Sequence, residues 1–330
     1  MLDRSAPAGD RVKPPGLLVN LQAGRVLADP ALVGRLARLV PAAQVELTHD
    51  EGGTLTAFKR LREADVDTLA VVGGDGTVAS TLTALARAWP EEPRPALLLL
   101  PGGTINTIPH SVGVRGAPDR VLMRFLRSRV PFASRPRSVL RIYAGGVSHC
   151  GMIFGAGVVA RWLAGYNAAR RRGPLGAALE VARAVGSIVV GGPLARELLA
   201  PFEAHVEIDG EALLADRFTG IAAGAVRHIG LGFAPFLTVP EGGRVGGFHF
   251  LWTEARGLGL AIDLVPLRLG LRWPFSALSH VAARTVRVRF GDSQPYTVDG
   301  DLFGPAREIH VATGPTVRFL APNRSRRRPR

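Results

Sequence analysis

The sequence predicts an α/β plus β chain. A doubly wound, parallel α/β unit is expected over residues 1–133, an antiparallel, β-sandwich-like unit with helical insertions over 134–320, and a basic tail over 321–330. Two textures predict this. From about residue 17 to 130, short apolar runs alternate with helical patterns, the rhythm of βαβ units with parallel strands. From about 134, short strands are punctuated by Gly and Pro, the rhythm of antiparallel hairpins. The third observation is size: 330 residues, 47% of them hydrophobic, suffice for two packed cores.

In the first unit, LLVNLQAG reads as a strand and loop, ALVGRLARLV as a helix, QVELTH as a strand and TLTAFKRLREA as a helix. DTLAVV is the next strand, Thr77 to Trp89 the next helix, and ALLLLPGG a further strand and loop. In the second unit, VLRIYAGGV, AHVEIDGEALL, RFTGIAAGAV, VGGFHFLW, RTVRVRF and TVRFL read as strands, and the last of them have room to return to the first unit. Two segments interrupt them with helical patterns: 156–200, with a Leu175, Leu179, Ala182, Val189 stripe, and 255–272. No long-period repeat is present.

Cys150 is the single cysteine, so no internal disulfide can form. The first residues, MLDRSAPAGDRVKPPG, lack the apolar core of a signal peptide, and the expectation is a cytoplasmic protein, with room for peripheral contact at the inner membrane face. The apolar runs near 177–190 and 257–271 are broken by Glu180 and Arg183, and by Asp263, Pro266 and Arg268, so neither is expected to span a bilayer. The net charge of +14 favours an anionic partner such as nucleotide phosphate or an acidic lipid surface. Arg161 and Arg170–Arg172 beside Trp162, Leu163 and Tyr166 suit an interfacial membrane contact, although such a segment also packs on its own domain. The RSRRRPR tail reads equally well as a solvated end.

The stretch VVGGDGT, residues 71–77, places Gly73, Gly74 and Gly76 directly after an apolar strand. Ligands of parallel sheets bind beyond the carboxyl ends of strands, where glycine permits close backbone approach and a helix N-terminus offers free N–H groups. Asp75 within such a loop would repel phosphate unless a divalent cation lay between them, which suggests a Mg-nucleotide with Asp75 as metal ligand. The GK[ST] ending of a Walker loop is missing. An ordinary strand-to-helix turn, with Asp75 or Thr77 as N-cap, accounts for the loop equally well in isolation. It is not isolated: LLLLPGGTIN repeats the arrangement with Gly102, Gly103, Thr104 and Asn106, LVNLQAG adds Asn20 and Gly24, and VELTH adds Thr48.

These residues resemble the lipid kinases that share the diacylglycerol kinase catalytic domain, a family that includes bacterial diacylglycerol kinases and sphingosine kinases. The resemblance rests on GGDGT at 73–77, PGGTIN at 101–106, the Asn20 and Gly24 loop, Thr48, FGAG at 154–157 and VDGD at 298–301, in family order over nearly the whole chain. It implies a two-domain enzyme that carries ATP and Mg2+ in the interdomain cleft and transfers the γ-phosphate to a lipid hydroxyl, of diacylglycerol or sphingoid type. By that match the first unit binds nucleotide and the second lipid. Gly73, Gly74, Asp75, Gly76 and Thr77 would hold the phosphates, Asn20, Thr48, Gly103, Thr104 and Asn106 would line the nucleotide site, and Asp75 and Asp301 would serve catalysis, Asp301 as the base that activates the hydroxyl.

Three positions depart from the family pattern. Asn106 is followed by Thr107 where an aspartate is usual, an Asp-Asp-Gly segment appears as Pro240-Glu241-Gly242-Gly243, and Asp301 replaces a longer glutamate. Locally, Asp301 is indistinguishable from the residue after any Asp-Gly hairpin turn, and VEIDGEALL contains a second such turn at Asp209-Gly210. The family context selects the one at 299–301. An NAD kinase, which also uses GGDGT, and a catalytically impaired nucleotide or lipid binder are the alternative readings. No HExxH-like pair is present among the eight histidines, His49, His110 and His149 are expected in loops or at edges, and no GxSxG elbow marks a hydrolase. Nucleic acid is not expected as a partner, and a homodimer is compatible with the sequence.

Overall fold

Strands buried on both faces need no polar alternation, and the first half is built on such strands. β1 (Gly16–Asn20), β3 (Thr68–Gly73) and β4 (Ala96–Pro101) are apolar along nearly their whole length, and β2 (Val45–Thr48) is the partly exposed edge. They run parallel in the order β2-β1-β3-β4. The computed structural model describes residues 13–128, 132–168, 173–239, 246–255, 257–271 and 276–323. The N-terminal stretch before residue 13, Arg170–Arg172, the Pro240–Gly243 segment and the RSRRRPR tail lie outside the described residues.

The crossover helices follow as the periodicity predicts: α1 (Gly24–Ala28), α2 (Ala31–Ala37), α3 (Glu51–Glu63), α4 (Asp75–Ala88), α5 (Thr107–Ser111) and α6 (Pro118–Arg127). Two of them start earlier than the expected apolar pattern. α3 begins at Glu51 because Asp50 accepts the Gly53 N–H at 2.7 Å as N-cap. α4 begins at Asp75, so the second half of GGDGT is the first turn of a helix and not a loop.

The second half comprises β5 (Ala133–Ala144), β6 (Val147–Gly151) and β7 (Ile153–Gly157), then α7 (Val158–Ala168), α8 (Pro174–Val190) and α9 (Pro193–Leu198). Next come β8 (Phe202–Ile208), β9 (Glu211–Ala212), β10 (Arg217–Phe218), β11 (Gly220–Gly224) and β12 (Phe248–Thr253). The chain ends with α10 (Leu258–Leu269), β13 (Ser279–Ala283), β14 (Thr285–Val298) and β15 (Asp301–Ala321). This half is antiparallel, as expected, with the helices inserted between strands. TVRVRF at the start of β14 alternates exposed and buried side chains, as a strand with one wet face must.

The two halves share a single hydrogen-bonded path, β13-β12-β11-β7-β14-β15-β4-β3-β1-β2. β15 is the seam: it lies antiparallel to β5 and β14 and parallel to β4 at Phe319 and Leu97. One continuous core runs from Leu17 and Phe58 through Leu98 to Phe154, Val286 and Phe319. A second tie crosses between α4 and β6. The Thr83 hydroxyl donates to the Cys150 carbonyl at 3.3 Å and accepts the Cys150 N–H at 2.9 Å.

The aromatic cluster at 161–166 is half-buried. Trp162 and Tyr166 stack on each other 5.6 Å apart, Arg161 donates to the Leu198 carbonyl at 2.7 Å, and the Tyr166 hydroxyl accepts the Gly173 N–H at 2.8 Å. These contacts hold α7 against α9 and the start of α8.

Candidate active site

Two glycine loops meet backbone to backbone. A Cβ on Gly103 would sit 2.4 Å from the Gly74 Cα, and one on Gly102 would sit 2.8 Å from the Gly73 nitrogen. Both distances are below any tolerated contact, so PGG and GGD interlock only because side chains are absent. The Gly102 and Gly103 N–H groups both donate to the Gly73 carbonyl, at 2.9 and 3.1 Å. Asn106, in the left-handed region at φ 57°, closes the second loop on itself: its Oδ1 accepts the Gly103 N–H at 2.8 Å and its Nδ2 donates to the Gly103 carbonyl at 2.7 Å. The first loop is fastened to the others by the Arg25 N–H, which donates to the Gly102 carbonyl at 2.8 Å.

A cleft of about 430 Å³ opens beside these loops. Of the residues singled out from sequence, Asn20, Gly74, Gly76, Thr77, Gly103, Thr104 and Asp301 line it. At its floor is the N-terminus of the 14-residue helix α4, whose N-cap Gly74 supplies no side-chain acceptor, so the first N–H groups and the positive end of the helix dipole are presented to the cleft. Asn20 Nδ2 donates to the Thr77 hydroxyl oxygen at 2.8 Å, which leaves the hydroxyl hydrogen available to an acceptor in the cleft.

Asp301 faces that helix end. A Cβ on Gly76 would lie 2.6 Å from the Asp301 Oδ2, so glycine at 76 is what admits the carboxylate. The hairpin that presents it turns through Asp299 at φ 51° and Gly300 at φ 95°. The buried Asp299 carboxylate accepts the Met152 N–H at 3.0 Å and the Ile153 N–H at 2.7 Å, and the Asp299 N–H donates to the Ile153 carbonyl at 2.9 Å. VDGD is thereby clamped to the strand that carries FGAG. Burial pushes the Asp299 carboxyl well above its ordinary range. Asp301 is also raised, by burial first and then by the charges of Asp75 and Glu51.

Four of the sequence-selected residues stand behind the cleft and not in its wall: Thr48, Gly73, Asp75 and Asn106. Asp75, expected as a metal ligand, has both carboxylate oxygens engaged by backbone N–H groups here. Its Oδ2 accepts the Thr107 N–H at 2.9 Å and its Oδ1 the Ile108 N–H at 2.8 Å, so both oxygens cap α5. Burial raises its pKa despite those bonds. At the other end of α5, Arg135 and Arg137 donate to the Val112 and Ser111 carbonyls at 3.2 and 3.1 Å. Burial, with Arg135 beside it, pushes Arg137 down to about 10. Asp75 and the two arginines thus hold a five-residue helix by its ends and fix the Thr104 loop that precedes it.

Magnesium was expected with the nucleotide. Among the described residues no group of three His, Cys, Asp or Glu side chains could hold a metal ion, so an all-protein metal cage does not fit this site. Asp301 and Glu51 face the cleft, and Asp301 is held protonated to higher pH partly by the Glu51 charge. That donor set fits a cation carried in on phosphate oxygens, which needs only one or two carboxylates from the protein.

Sequence reading missed part of the wall. Asp50, Glu51 and Thr54 line it from the start of α3, and His149, Cys150 and Phe303 from the antiparallel half. The first three follow Thr48 directly and were findable as the next strand-to-helix turn. His149 lies at an edge, as expected, in β6, which pairs only with β5 among the described strands; its ring is 4.4 Å from Phe303, and burial pushes its pKa down. No local pattern announces that pair, because β6 and β15 meet only in the folded sheet.

A helix N-terminus and a carboxylate thus meet at one cleft in an α/β-plus-β protein. Residues 14–131 match the family model of the diacylglycerol kinase catalytic domain. No curated protein matches the sequence. Among solved structures, a diacylglycerol kinase from Bacillus anthracis str. Sterne is 19% identical, with a TM-score of 0.62 over 93% of this chain and 96% of that one. A second structure from the same organism, provisionally described as a diacylglycerol kinase, gives a TM-score of 0.66 at 19% identity over 98% and 99% of the two chains. A third, described in the same way, gives 0.64 at 20% over 92% and 96%. At such identities the likeness is one of fold.

Proposed function

We propose that this chain is a lipid kinase that transfers the γ-phosphate of ATP to a lipid hydroxyl in the cleft between its halves. The observation that carries the reading is Asp301 suspended over Gly76: a carboxylate of raised pKa stands opposite a helix N-terminus that can receive phosphate. The remaining parts follow from what phosphoryl transfer demands, namely an in-line hydroxyl, a proton acceptor and charge neutralisation at the phosphates.

The uncapped N–H groups of α4, with the Thr77 and Thr104 hydroxyls, receive the phosphates. Asp301 accepts the lipid hydroxyl proton as the new O–P bond forms and the β–γ bridge breaks, releasing ADP. Its raised pKa brings it nearer neutrality, where a base both accepts the proton and is still ionised enough to act. A magnesium ion facing Asp301 and Glu51 would neutralise phosphate charge. Asp75 acts at one remove, through α5 and the Thr104 loop.

The test is transfer of radiolabelled phosphate from ATP to a panel of diacylglycerol, phosphatidylglycerol, ceramide, sphingoid bases and NAD. A labelled lipid is the expected product. Labelled NADP with no labelled lipid would replace this reading with an NAD kinase. No product, with nucleotide binding in calorimetry, would make the chain a binder, the outcome that Thr107 in place of an acidic residue favours.

A further inference from the structure

Helix α10 is amphipathic in the opposite sense to a soluble surface helix. Leu258, Ile262, Val265 and Leu269 recur at intervals of four, three and four, one stripe of a helix, and each is more than half exposed. Its one carboxylate, Asp263, is 1% exposed and turned inward, where it accepts the Ala277 N–H at 2.8 Å and the Ser276 hydroxyl at 3.2 Å. α8, which contacts α10, repeats the inversion: Leu175, Leu179 and Val189 are exposed, with the exposed small residues Ala182 and Gly186 continuing the same stripe. Among the described residues, nine of the fourteen large apolar side chains that are exposed lie on these two helices or at Leu271 just beyond α10. Scattered exposed leucines need no explanation, but a concentration on two touching helices marks a binding surface.

We propose that these faces of α8 and α10 seat the protein on an anionic lipid bilayer. The helices have 17 and 12 residues, and no described helix is long and apolar enough to cross a membrane, so they lie in the interface plane. Charge selects the occupant. The chain carries +14, and Arg268 on α10 stands exposed among the apolar side chains, while the exposed Arg183 on α8 is paired with Glu180 at 2.9 Å; the net positive charge attracts an anionic surface and repels a second like-charged copy. Position gives the docking a use. Gly173, the N-cap of α8, packs on the cleft wall, where a Cβ would lie 3.3 Å from the Thr104 Cγ2. A bilayer gripped by α8 therefore lies at the rim of the cleft.

The test uses the full chain with phosphatidylcholine vesicles, with and without phosphatidylglycerol, in a sedimentation assay that contains no nucleotide, so its failure is separate from failure of the kinase reading. Wild type is expected to sediment with the phosphatidylglycerol vesicles and to be released by salt. The pairs Ile262→Glu with Val265→Glu, and Leu179→Glu with Val189→Glu, should each lower partitioning on the order of tenfold or more with melting temperature and elution volume unchanged. Hydrogen exchange on wild type gives a reading free of substitutions: vesicles should protect α8 and α10. Absent binding, equal binding to phosphatidylcholine alone, variants that bind like wild type, or protection elsewhere would each overturn the proposal. So would a wild-type dimer that the variants split, since the face would then belong to a second copy.

Discussion

Two hairpins in this chain are locally the same object. Asp209-Gly210 and Asp299-Gly300 both turn through the left-handed region, at φ 51° and 92° in one and 51° and 95° in the other. In both, the aspartate N–H donates to a carbonyl of a neighbouring segment, Thr285 or Ile153, and its carboxylate accepts that same residue's N–H at 2.7 Å. The difference is location. Asp209 is exposed at the rim of β8, whereas Asp299 is buried under the start of β7. The acidic residues that follow the two turns, Glu211 and Asp301, are both exposed, but Asp301 stands against the N-terminus of α4. An identical turn meets a helix end only because the sheet delivers it there.

The sharpest way to break this comparison is to neutralise the two following acids. Asp301→Asn is expected to lower phosphate transfer by roughly 10²–10⁴-fold with affinity for metal-free nucleotide unchanged, since the base acts on the acceptor. Glu211→Gln should leave both alone. Equal activity of the two variants would return Asp301 to the rank of a hairpin residue. Next in size is Gly76→Ala. Its methyl cannot coexist with the Asp301 carboxylate 2.6 Å away, so turnover should fall by about 10²-fold through displacement of the base. Alanine suits a helix better than glycine, so the melting temperature should hold or rise. A loss of stability in step with activity would show that the methyl damages the fold instead.

Stability separates the turns themselves. Asp299→Ala strands one buried and one part-buried N–H group and should cost about 3 kcal/mol in denaturant unfolding. Asp209→Ala exposes its two N–H partners to water and should cost under about 1 kcal/mol. Matching losses would mean that burial is not what distinguishes the hairpins. The smallest expected effect is electrostatic. Asp301 must be ionised to accept a proton, so activity falls as pH falls through its raised pKa. Glu51 is one cause of that elevation, so Glu51→Gln should carry the acid limb of the pH–rate profile to lower pH. An acid limb that stays in place would assign it to another group.

Much of this molecule is legible without coordinates, for a physical reason. Strand and helix periods are local, and β1, β3 and β4 are apolar runs flanked by amphipathic helices, so the parallel half follows from its sequence alone. Glycine loops at the ends of those strands are equally local, which is why Gly74, Gly76, Gly103 and Thr104 could be placed at a site in advance. The chain also determines by itself, through Asp-Gly dipeptides between apolar runs, that two tight turns form. Direction and juxtaposition were decided only by the tertiary structure. Asp75 turns away from the cleft because the N–H groups of α5 are packed beneath it. His149 and Phe303 meet because the fold brings β6 beside the β14–β15 hairpin across more than a hundred residues of sequence. The Leu258–Leu269 stripe has the spacing of a core-facing helix, but Asp263 finds its hydrogen bonds in the interior and turns that stripe outward. Burial of a polar group depends on partners distant in sequence, and no local pattern contains them.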